Sequence, residues 1–283
     1  MGDGGSSSLL NTFIHPTTVP RTHTQVLSIL FLVLVMTSSV PSTTYVSAEE
    51  PVYATMYDVV IFDSACLETT PCTGDRIEHL VEYYGADWCE PCELIEHEIE
   101  QLNRTDTFVM QHHPSVLDTS FLSASKLRFY DEHRLLFLPS LVINSEGLLT
   151  GSSQALELPN VLSERSTSFE GFTDLELDNE SLTWQASQGD KVSVWRTEAV
   201  EHPERNRTHP TLATDVRVFN ASNGSGNVSS LLQDWNGSLV VMLERSGVYL
   251  LESDSSNPTG GFDLNVDEAV SYTHLRAHET SID

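Results

Sequence analysis

Hydrophobic positions between residues 53 and 165 follow two different periods. Runs of β-branched and aromatic residues predict buried strands over residues 57–62, 77–84, 107–112, 141–144 and 148–150. Ile95, Ile99 and Leu102 recur at helical spacing, so a helix is predicted over residues 89–102. Its interspersed glutamates are predicted on the solvent side: Glu93, Glu96, Glu98 and Glu100. Together with a weaker helical pattern over residues 123–132, this predicts an α/β domain.

From residue 174 onward the helical period disappears and short β-type runs replace it. They cover residues 175–177, 182–185, 192–195, 216–219, 239–243 and 248–251. Short strands at such spacing, divided by turn residues, predict an antiparallel β-sandwich over residues 174–268. The predicted architecture is therefore an α/β domain over residues 49–166, a linker over residues 167–173, and an all-β sandwich.

The first 48 residues are typical of a secretory leader. Arg21 precedes an apolar run of 11 residues, and a polar stretch then leads to a small-residue end at Ala48. A membrane-spanning helix needs about 20 apolar residues, so an uncleaved anchor is the less favoured alternative. Residues 269–283 break both patterns and are left out of the predicted fold, and an anchor beyond Val270 stays open.

Export is also supported by cysteines and glycosylation motifs. All four cysteines follow the leader, and an even count suits two disulfides in an oxidising compartment. The chain has seven Asn-x-Ser/Thr sequons, where composition alone would give about two or three: Asn103, Asn179, Asn206, Asn220, Asn223, Asn227 and Asn236. The prediction is an extracytoplasmic glycoprotein, the alternative being a Ser/Thr-rich chain that is never glycosylated.

The charge balance excludes one class of partner. With 14 basic and 41 acidic residues, the net charge is −27. Such a surface repels phosphate backbones, so no nucleic-acid binding is predicted. No phosphate-cradling glycine loop is present, and no cofactor is predicted. His112 and His113 would face opposite sides of a strand and could not easily share a metal ion, so surface histidines are the favoured interpretation and no metal is predicted.

The candidate chemistry lies in Trp88-Cys89-Glu90-Pro91-Cys92, where a predicted strand meets a predicted helix. A sulfur at a helix N-terminus is favoured as thiolate, and the second sulfur, about one turn further, can attack a mixed disulfide. Taken alone, this spacing also suits half of a zinc site or a local staple. Pro91 fits an early helical position because its missing N–H costs nothing there.

With its Trp and Pro, this stretch resembles the thioredoxin family. A second match is Phe137-Leu138-Pro139-Ser140-Leu141-Val142-Ile143, which resembles the family's cis-proline strand. The resemblance implies a thioredoxin-like domain in which Cys89 is the nucleophile and Cys92 the buried resolving cysteine. It further implies that Trp88 and Pro139 shape a substrate groove. The backbone of Leu138 would then pair with an extended peptide.

Family members also carry a buried carboxylate on the strand before the motif, which assists proton transfer from the resolving thiol. Glu82 is the candidate here, but the spacer is one residue longer than usual. A one-residue slip would turn Glu82 to the other face unless a bulge near Gly85 restores it. Both interpretations of Glu82, as a proton relay and as an ordinary exposed glutamate, stay open.

Cys66 and Cys72 are predicted to form a structural disulfide, with a second redox pair or joint zinc ligation as alternatives. Acidic Asp87, Glu90 and Glu93 surround Cys89. Like charges disfavour a thiolate, so a reductant or isomerase-like poise is hypothesised.

The predicted function is an exported thiol–disulfide oxidoreductase. Its partners would be the thiols and disulfides of extracytoplasmic proteins and a redox partner protein. The alternative from another class is a non-catalytic surface glycoprotein that uses a disulfide-stapled thioredoxin-like fold for binding. A copper metallochaperone is the third candidate.

Overall fold

The computed structural model describes residues 52–68, 71–102 and 104–257. The predicted leader, the Asn103 sequon and the predicted C-terminal residues 269–283 lie outside the described residues. In the described part no helix is both long and apolar enough to cross a membrane.

Thirteen strands and five α-helices make up this part of the chain. The strands are β1 (Thr55–Asp63), β2 (Asp75–Arg76), β3 (His79–Tyr84), β4 (Thr107–His112), β5 (Ser140–Ile143), β6 (Gly147–Thr150), β7 (Phe172–Asp178), β8 (Ser181–Ala186), β9 (Lys191–Glu201), β10 (Thr208–Asn220), β11 (Ser225–Asn227), β12 (Gly237–Arg245) and β13 (Glu252–Ser253). The helices are α1 (Glu90–Gln101), α2 (Ser123–Leu127), α3 (Gly151–Ala155), α4 (Leu158–Glu164) and α5 (Ser229–Leu232). A π-helical turn over Arg128–Glu132 extends α2.

Ten strands form one mixed sheet in the order β13-β6-β5-β3-β4-β10-β9-β12-β1-β2. Strands β3 and β4 are parallel and are joined through α1, whereas β5 and β6 form an antiparallel hairpin beside β3. This part of the sheet confirms the strands predicted between residues 77 and 150. Its core lies against α1 and includes Val81, Tyr83, Cys92, Ile95 and Leu141.

Most of the remaining strands form a β-sandwich, as predicted, but its membership differs from the prediction, and β13 pairs with β6 instead. A separate antiparallel sheet, β11-β8-β7, packs against the part of the large sheet formed by β9, β12 and β1. Strand β1 comes from the predicted first domain, yet it pairs with β12. Val60 and Phe62 on one face of β1 and Val59 and Ile61 on the other are buried in different cores. A strand with apolar residues on both faces must be packed against on both sides. Its sequence does not indicate with which strand it pairs.

The large sheet therefore contains strands from both sides of the predicted linker at residues 167–173. The structure places the beginning of β7 within that range, and Phe169 and Phe172 are buried. The predicted strand over residues 248–251 is wrong. Only Val248 makes a bridge, to Tyr53, because the chain turns at Gly247 with φ +147°, where a side chain would collide with backbone.

Candidate dithiol site

The dithiol lies at the start of α1, directly after strand β3. Cys89 occupies the N-cap position, and Pro91 falls in the first turn. The backbone N–H of Cys92 donates to the carbonyl of Cys89 at 3.1 Å, and the two Cα atoms are 5.3 Å apart. The two sulfurs form a disulfide. Pro91 suits this turn because the first helical N–H groups have no intrahelical acceptor.

One sulfur of the pair borders solvent and the other does not. Cys92 is fully buried and Cys89 is 4% exposed. Cys89 nevertheless lines a groove of about 670 Å³, with the following residues along its walls: Trp88, Glu90, Pro91, Pro114, Ser115, Val116, Leu117, Lys126, Phe129, Tyr130, Leu136, Phe137 and Leu138. The predicted order of exposure, Cys89 outside and Cys92 inside, is therefore observed.

Two of the three predicted groove residues, Trp88 and Leu138, line the groove together with Cys89. Trp88 is 56% exposed, and its indole N–H donates to Ser115 Oγ at 3.2 Å. The Leu138–Pro139 bond is cis. Pro139 itself is buried and does not line the groove, and its carbonyl accepts the Gly151 N–H at 2.8 Å.

Glu82 does not lie where a relay to Cys92 would need it. Val81 and Tyr83 share a core with Cys92, whereas Glu82 lies on the opposite face of β3 with Tyr84, whose hydroxyl donates to Glu82 Oε1 at 3.3 Å. No bulge restores the register, because β3 pairs with β4 without a shift. Burial alone would raise the pKa of Glu82, but Arg128 holds it well below its ordinary value. The relay expectation for Glu82 is therefore wrong, and so is the alternative of an exposed glutamate, because Glu82 is fully buried.

A different carboxylate lies on the dithiol face. Glu96 was predicted on the solvent side of α1, but it is buried. The Tyr83 hydroxyl donates to Glu96 Oε1 at 3.1 Å and lies 3.5 Å from the carbonyl of Cys92. Burial raises the pKa of Glu96 to about 7, although the ion pair with Arg207 opposes that shift. The sequence signal for the burial of Glu96 is its spacing of four from Cys92, because residues four apart share a helix face.

One of the three acidic residues near Cys89 has a cationic partner. Glu93 forms an ion pair with Arg205. Asp87 Oδ1 lies 3.1 Å from His209 Nε2, but burial lowers the pKa of His209, so this imidazole adds no positive charge at neutral pH. Glu90 is exposed. The reductant-like hypothesis therefore loses one of its three charges and stays a prediction.

The two neighbouring histidines face opposite sides of the sheet, as predicted, but neither is on the surface. His112 is buried beside Ser125 and Glu82. His113 is buried next to Asp87, with its Nδ1 3.8 Å from Asp87 Oδ1. The prediction of surface histidines is wrong because bulky neighbours cover both faces of this strand end.

Three further residues complete a buried cluster around Asp87, which lies two positions before Cys89. The Asp87 backbone N–H donates to Asp118 Oδ1 at 2.8 Å. His202 and His209 approach from the β9–β10 region, with His113 and His209 ring centroids 4.6 Å apart. We call Asp87, His113, Asp118, His202 and His209 the Asp87 cluster.

The second cysteine pair is separate from the dithiol. Cys66 and Cys72 form the predicted disulfide, which packs in the sandwich core, whereas Cys89 and Cys92 lie in the α1 core. The backbone groups of Cys72 pair with Leu177 of β7 in both directions. This disulfide therefore fixes the loop after β1 to the smaller sheet. The six sequon asparagines in the described residues are all exposed: Asn179, Asn206, Asn220, Asn223, Asn227 and Asn236.

Comparisons with known proteins give little beyond this geometry. No family model matches the chain, and no curated protein matches it. Among solved structures the chain is similar to a protein from Agrobacterium tumefaciens determined by structural genomics, with 13% identity and a TM-score of 0.42. The match covers 60% of this chain and 79% of that one. So distant a likeness carries no argument about function.

Proposed function

We propose that this protein is an extracytoplasmic thiol–disulfide oxidoreductase of thioredoxin-like architecture. The observation that carries the proposal is the Cys89–Cys92 disulfide at a helix start, with one sulfur on the wall of an apolar groove. Two intramolecular disulfides further support a chain that works in an oxidising compartment.

The strand order supports the thioredoxin-like part of the proposal. Strand β3, helix α1, strand β4, helix α2 and the β5–β6 hairpin follow one another as β-α-β-α-β-β, with the sheet order β6-β5-β3-β4. Helices α3 and α4 follow the hairpin. The cis Leu138–Pro139 bond lies immediately before β5, beside the dithiol groove. Each of these features agrees with the family resemblance noted in the sequence.

The groove favours apolar polypeptide as substrate. Several of its apolar side chains are exposed, including Trp88, Val116, Leu117, Tyr130, Leu136 and Phe137. A contiguous exposed apolar surface of this kind marks a binding site on a soluble protein. A cysteine flanked by apolar residues would bind there with its sulfur facing Cys89.

The chemistry is a balanced exchange between two sulfur pairs. The Cys89 thiolate of the reduced protein attacks one sulfur of a substrate disulfide, forming a mixed disulfide and releasing the other sulfur as thiolate. Cys92 then loses its proton and attacks Cys89, which closes the Cys89–Cys92 disulfide and releases the reduced substrate. A redox partner protein with a dithiol returns the enzyme to its reduced form.

Glu96 is suited to accept the proton that Cys92 must lose. It lies one helical turn beyond Cys92, it is buried, and its pKa of about 7 leaves it able to take up a proton near neutral pH. The Tyr83 hydroxyl, which contacts both Glu96 and the Cys92 carbonyl, fixes its position.

A binding glycoprotein remains the second candidate, and one observation favours it. Cys89 is only 4% exposed in the disulfide form, while the groove beside it is open. In that function the disulfide would only hold the groove in shape, and the exposed sequons would carry glycans.

Insulin reduction by the purified chain separates the two functions. The oxidoreductase should reduce insulin disulfides with dithiothreitol as electron donor, and Cys89→Ser should lower the rate to the uncatalysed background. Cys66→Ser with Cys72→Ser is the matched control, since it removes a disulfide outside the groove and should leave most of the rate.

Cys92→Ser should trap substrates, because the mixed disulfide on Cys89 can no longer be resolved. Proteins released from it by reductant, and absent from Cys89→Ser with Cys92→Ser, would support the proposal. Equal insulin reduction by the wild type and Cys89→Ser would contradict it and leave the binding function.

A further inference from the structure

The Asp87 cluster contains buried polar atoms with no partner. Within the described residues, Asp87 Oδ2, Asp118 Oδ2 and both ring nitrogens of His113 make no hydrogen bond. His113 is 1% exposed and Asp118 is 6% exposed. Leaving a buried polar atom without a partner destabilises the fold, more so when the group is charged, so four such atoms in one place point to a ligand.

Donor atoms of the Asp87 cluster also converge, in two groups of three. One ligand atom from each of Asp87, His113 and Asp118 lies within 4.8 Å of the others, and the same holds for Asp87, His202 and His209. Asp87 is common to both groups. Two donors bound to one tetrahedral ion at about 2.0–2.1 Å are about 3.3 Å apart. The separations from Asp87 Oδ1, 3.1 Å to His209 Nε2 and 3.8 Å to His113 Nδ1, bracket that value.

His202 differs from the other two histidines. Its Nδ1 accepts the backbone N–H groups of Glu204 and Arg205, each at 3.1 Å. A neutral imidazole with an acceptor Nδ1 carries its proton on Nε2. That Nε2–H points at the Asp87 carbonyl at 3.3 Å. His202 therefore positions Asp87, and its Nε2 has no lone pair to offer a metal ion.

We propose that Asp87, His113 and Asp118, the group that contains all four unpartnered atoms, bind one zinc-class divalent transition-metal ion beside the dithiol. One imidazole and two carboxylates are donors that Zn²⁺ accepts, and they leave the fourth position of a tetrahedral ion open. The charge agrees, since two buried carboxylates carry −2 and neutral imidazoles add nothing. This site does not depend on the dithiol chemistry proposed above, because no cysteine is a ligand.

Another acidic histidine group lacks these features. Glu78, His79 and Asp106 also approach one another. Glu78 is exposed, however, and Arg104 donates to both Asp106 oxygens at 2.9 and 2.7 Å. That carboxylate already has its counter-ion, so nothing there requires a metal.

The test is zinc binding by the full chain with both disulfides closed, so that no thiolate competes. A calorimetric titration with ZnCl₂ alone should show one zinc ion bound tightly per chain. Outer partners of a metal are worth about 10- to 100-fold in affinity, so losing a ligand in His113→Gln should weaken binding by more than about 100-fold. His97→Gln removes an exposed histidine of α1 and is the matched control, with unchanged affinity expected.

A second measurement keeps the proposal testable if a variant does not fold. Zn²⁺, but not Mg²⁺, should raise the melting temperature of the wild type, because a ligand that binds only the folded state stabilises it. The proposal is overturned if the wild type binds less than one equivalent. Equal affinities for the wild type and His113→Gln would overturn it too, since they would assign the zinc to adventitious histidines. Failure of insulin reduction would leave this result untouched.

Discussion

Two clusters of buried charged groups lie close to strands β3 and β4, and they differ in how completely their atoms are paired. On the face of β3 away from the dithiol, Arg128 donates to Glu82 and to Glu244, and all four oxygens of those two carboxylates have partners. We call this the Arg128 network; within the described residues its unpartnered atoms are ring nitrogens, His112 Nε2 and His133 Nε2, and not carboxylate oxygens. In the Asp87 cluster, beyond the end of β3, two carboxylate oxygens and a whole imidazole have none in the described chain.

The difference separates a structural network from a binding site. Burial would raise the pKa of Glu244, but Arg128 and Lys191 lower it to about 2, so the carboxylate stays charged and compensated. Asp118 shows the opposite balance, since burial raises its pKa to about 6 and no cationic side chain opposes the shift. The first cluster already holds its counter-ions, whereas the second lacks one.

Breaking the Arg128 network should have the largest effect. Arg128→Met leaves Glu82 and Glu244 charged in the core, and removing one partner of a buried pair costs about 3–5 kcal/mol. We expect the free energy of unfolding, measured by urea denaturation, to fall by that amount. Adding Glu82→Met and Glu244→Met should restore much of the loss, because apolar residues can replace a buried ion network.

Arg104→Met supplies the matched control. Arg104 pairs with Asp106 at 2.7 Å, but the side chains are 28% and 32% exposed, so the loss should stay below about 1 kcal/mol. Similar losses for the Arg104 and Arg128 variants would show that burial of the network has no energetic consequence.

Glu96 provides the next largest effect, as a function of pH. Its folded pKa of about 7 exceeds its ordinary 4.5, so between these values the folded chain holds a proton that the unfolded chain has lost. Stability contributed by this group is therefore present below about pH 4.5 and is lost as pH rises to about 7. At 1.36 kcal/mol for each of about 2.5 pKa units, the loss is about 3 kcal/mol.

Glu96→Gln should abolish that part of the pH dependence. The stability difference between wild type and variant, from urea denaturation at pH 4.5 and 7.5, should change by about 3 kcal/mol. Glu98→Gln, at an exposed position of the same helix, should give no change. If the free energy of unfolding depends on pH equally in the wild type and in Glu96→Gln, the basis for Glu96 as proton acceptor is removed. The same conclusion follows if Glu96→Gln does not change the rate at which Cys92 attacks the mixed disulfide on Cys89.

What the sequence could predict follows from the range of the interactions. Local patterns predicted β3, α1, β4 and the β5–β6 hairpin, and a local motif predicted the dithiol. The solvent-side prediction for Glu96 is wrong because the polarity of a glutamate indicates exposure, whereas its spacing of four from Cys92 places it on the buried face. Arg128 gave no signal, since a charged side chain is rarely buried unless paired. The Asp87 cluster joins residues up to 122 positions apart, which no local pattern reports.

The smallest effect tests the incomplete cluster directly. In metal-free protein, Asp118→Asn keeps an oxygen to accept the Asp87 N–H and gains an amide that can donate to the Asp87 carboxylate. It also removes one of two like charges. We therefore expect Asp118→Asn to be more stable than wild type by about 1 kcal/mol with a chelator present.

Saturating ZnCl₂ should reverse that order, because only the wild type retains both carboxylates for the ion. Urea denaturation of the wild type and of Asp118→Asn, with EDTA and with ZnCl₂, measures the sign of their stability difference under each condition. Glu82→Gln serves as the counterpart in the Arg128 network, where loss of a charge should destabilise the fold with or without zinc. A loss above about 2 kcal/mol for Asp118→Asn under EDTA would mean that Asp118 is already satisfied in the metal-free fold, as Glu82 is. The contrast between the two clusters would then be wrong.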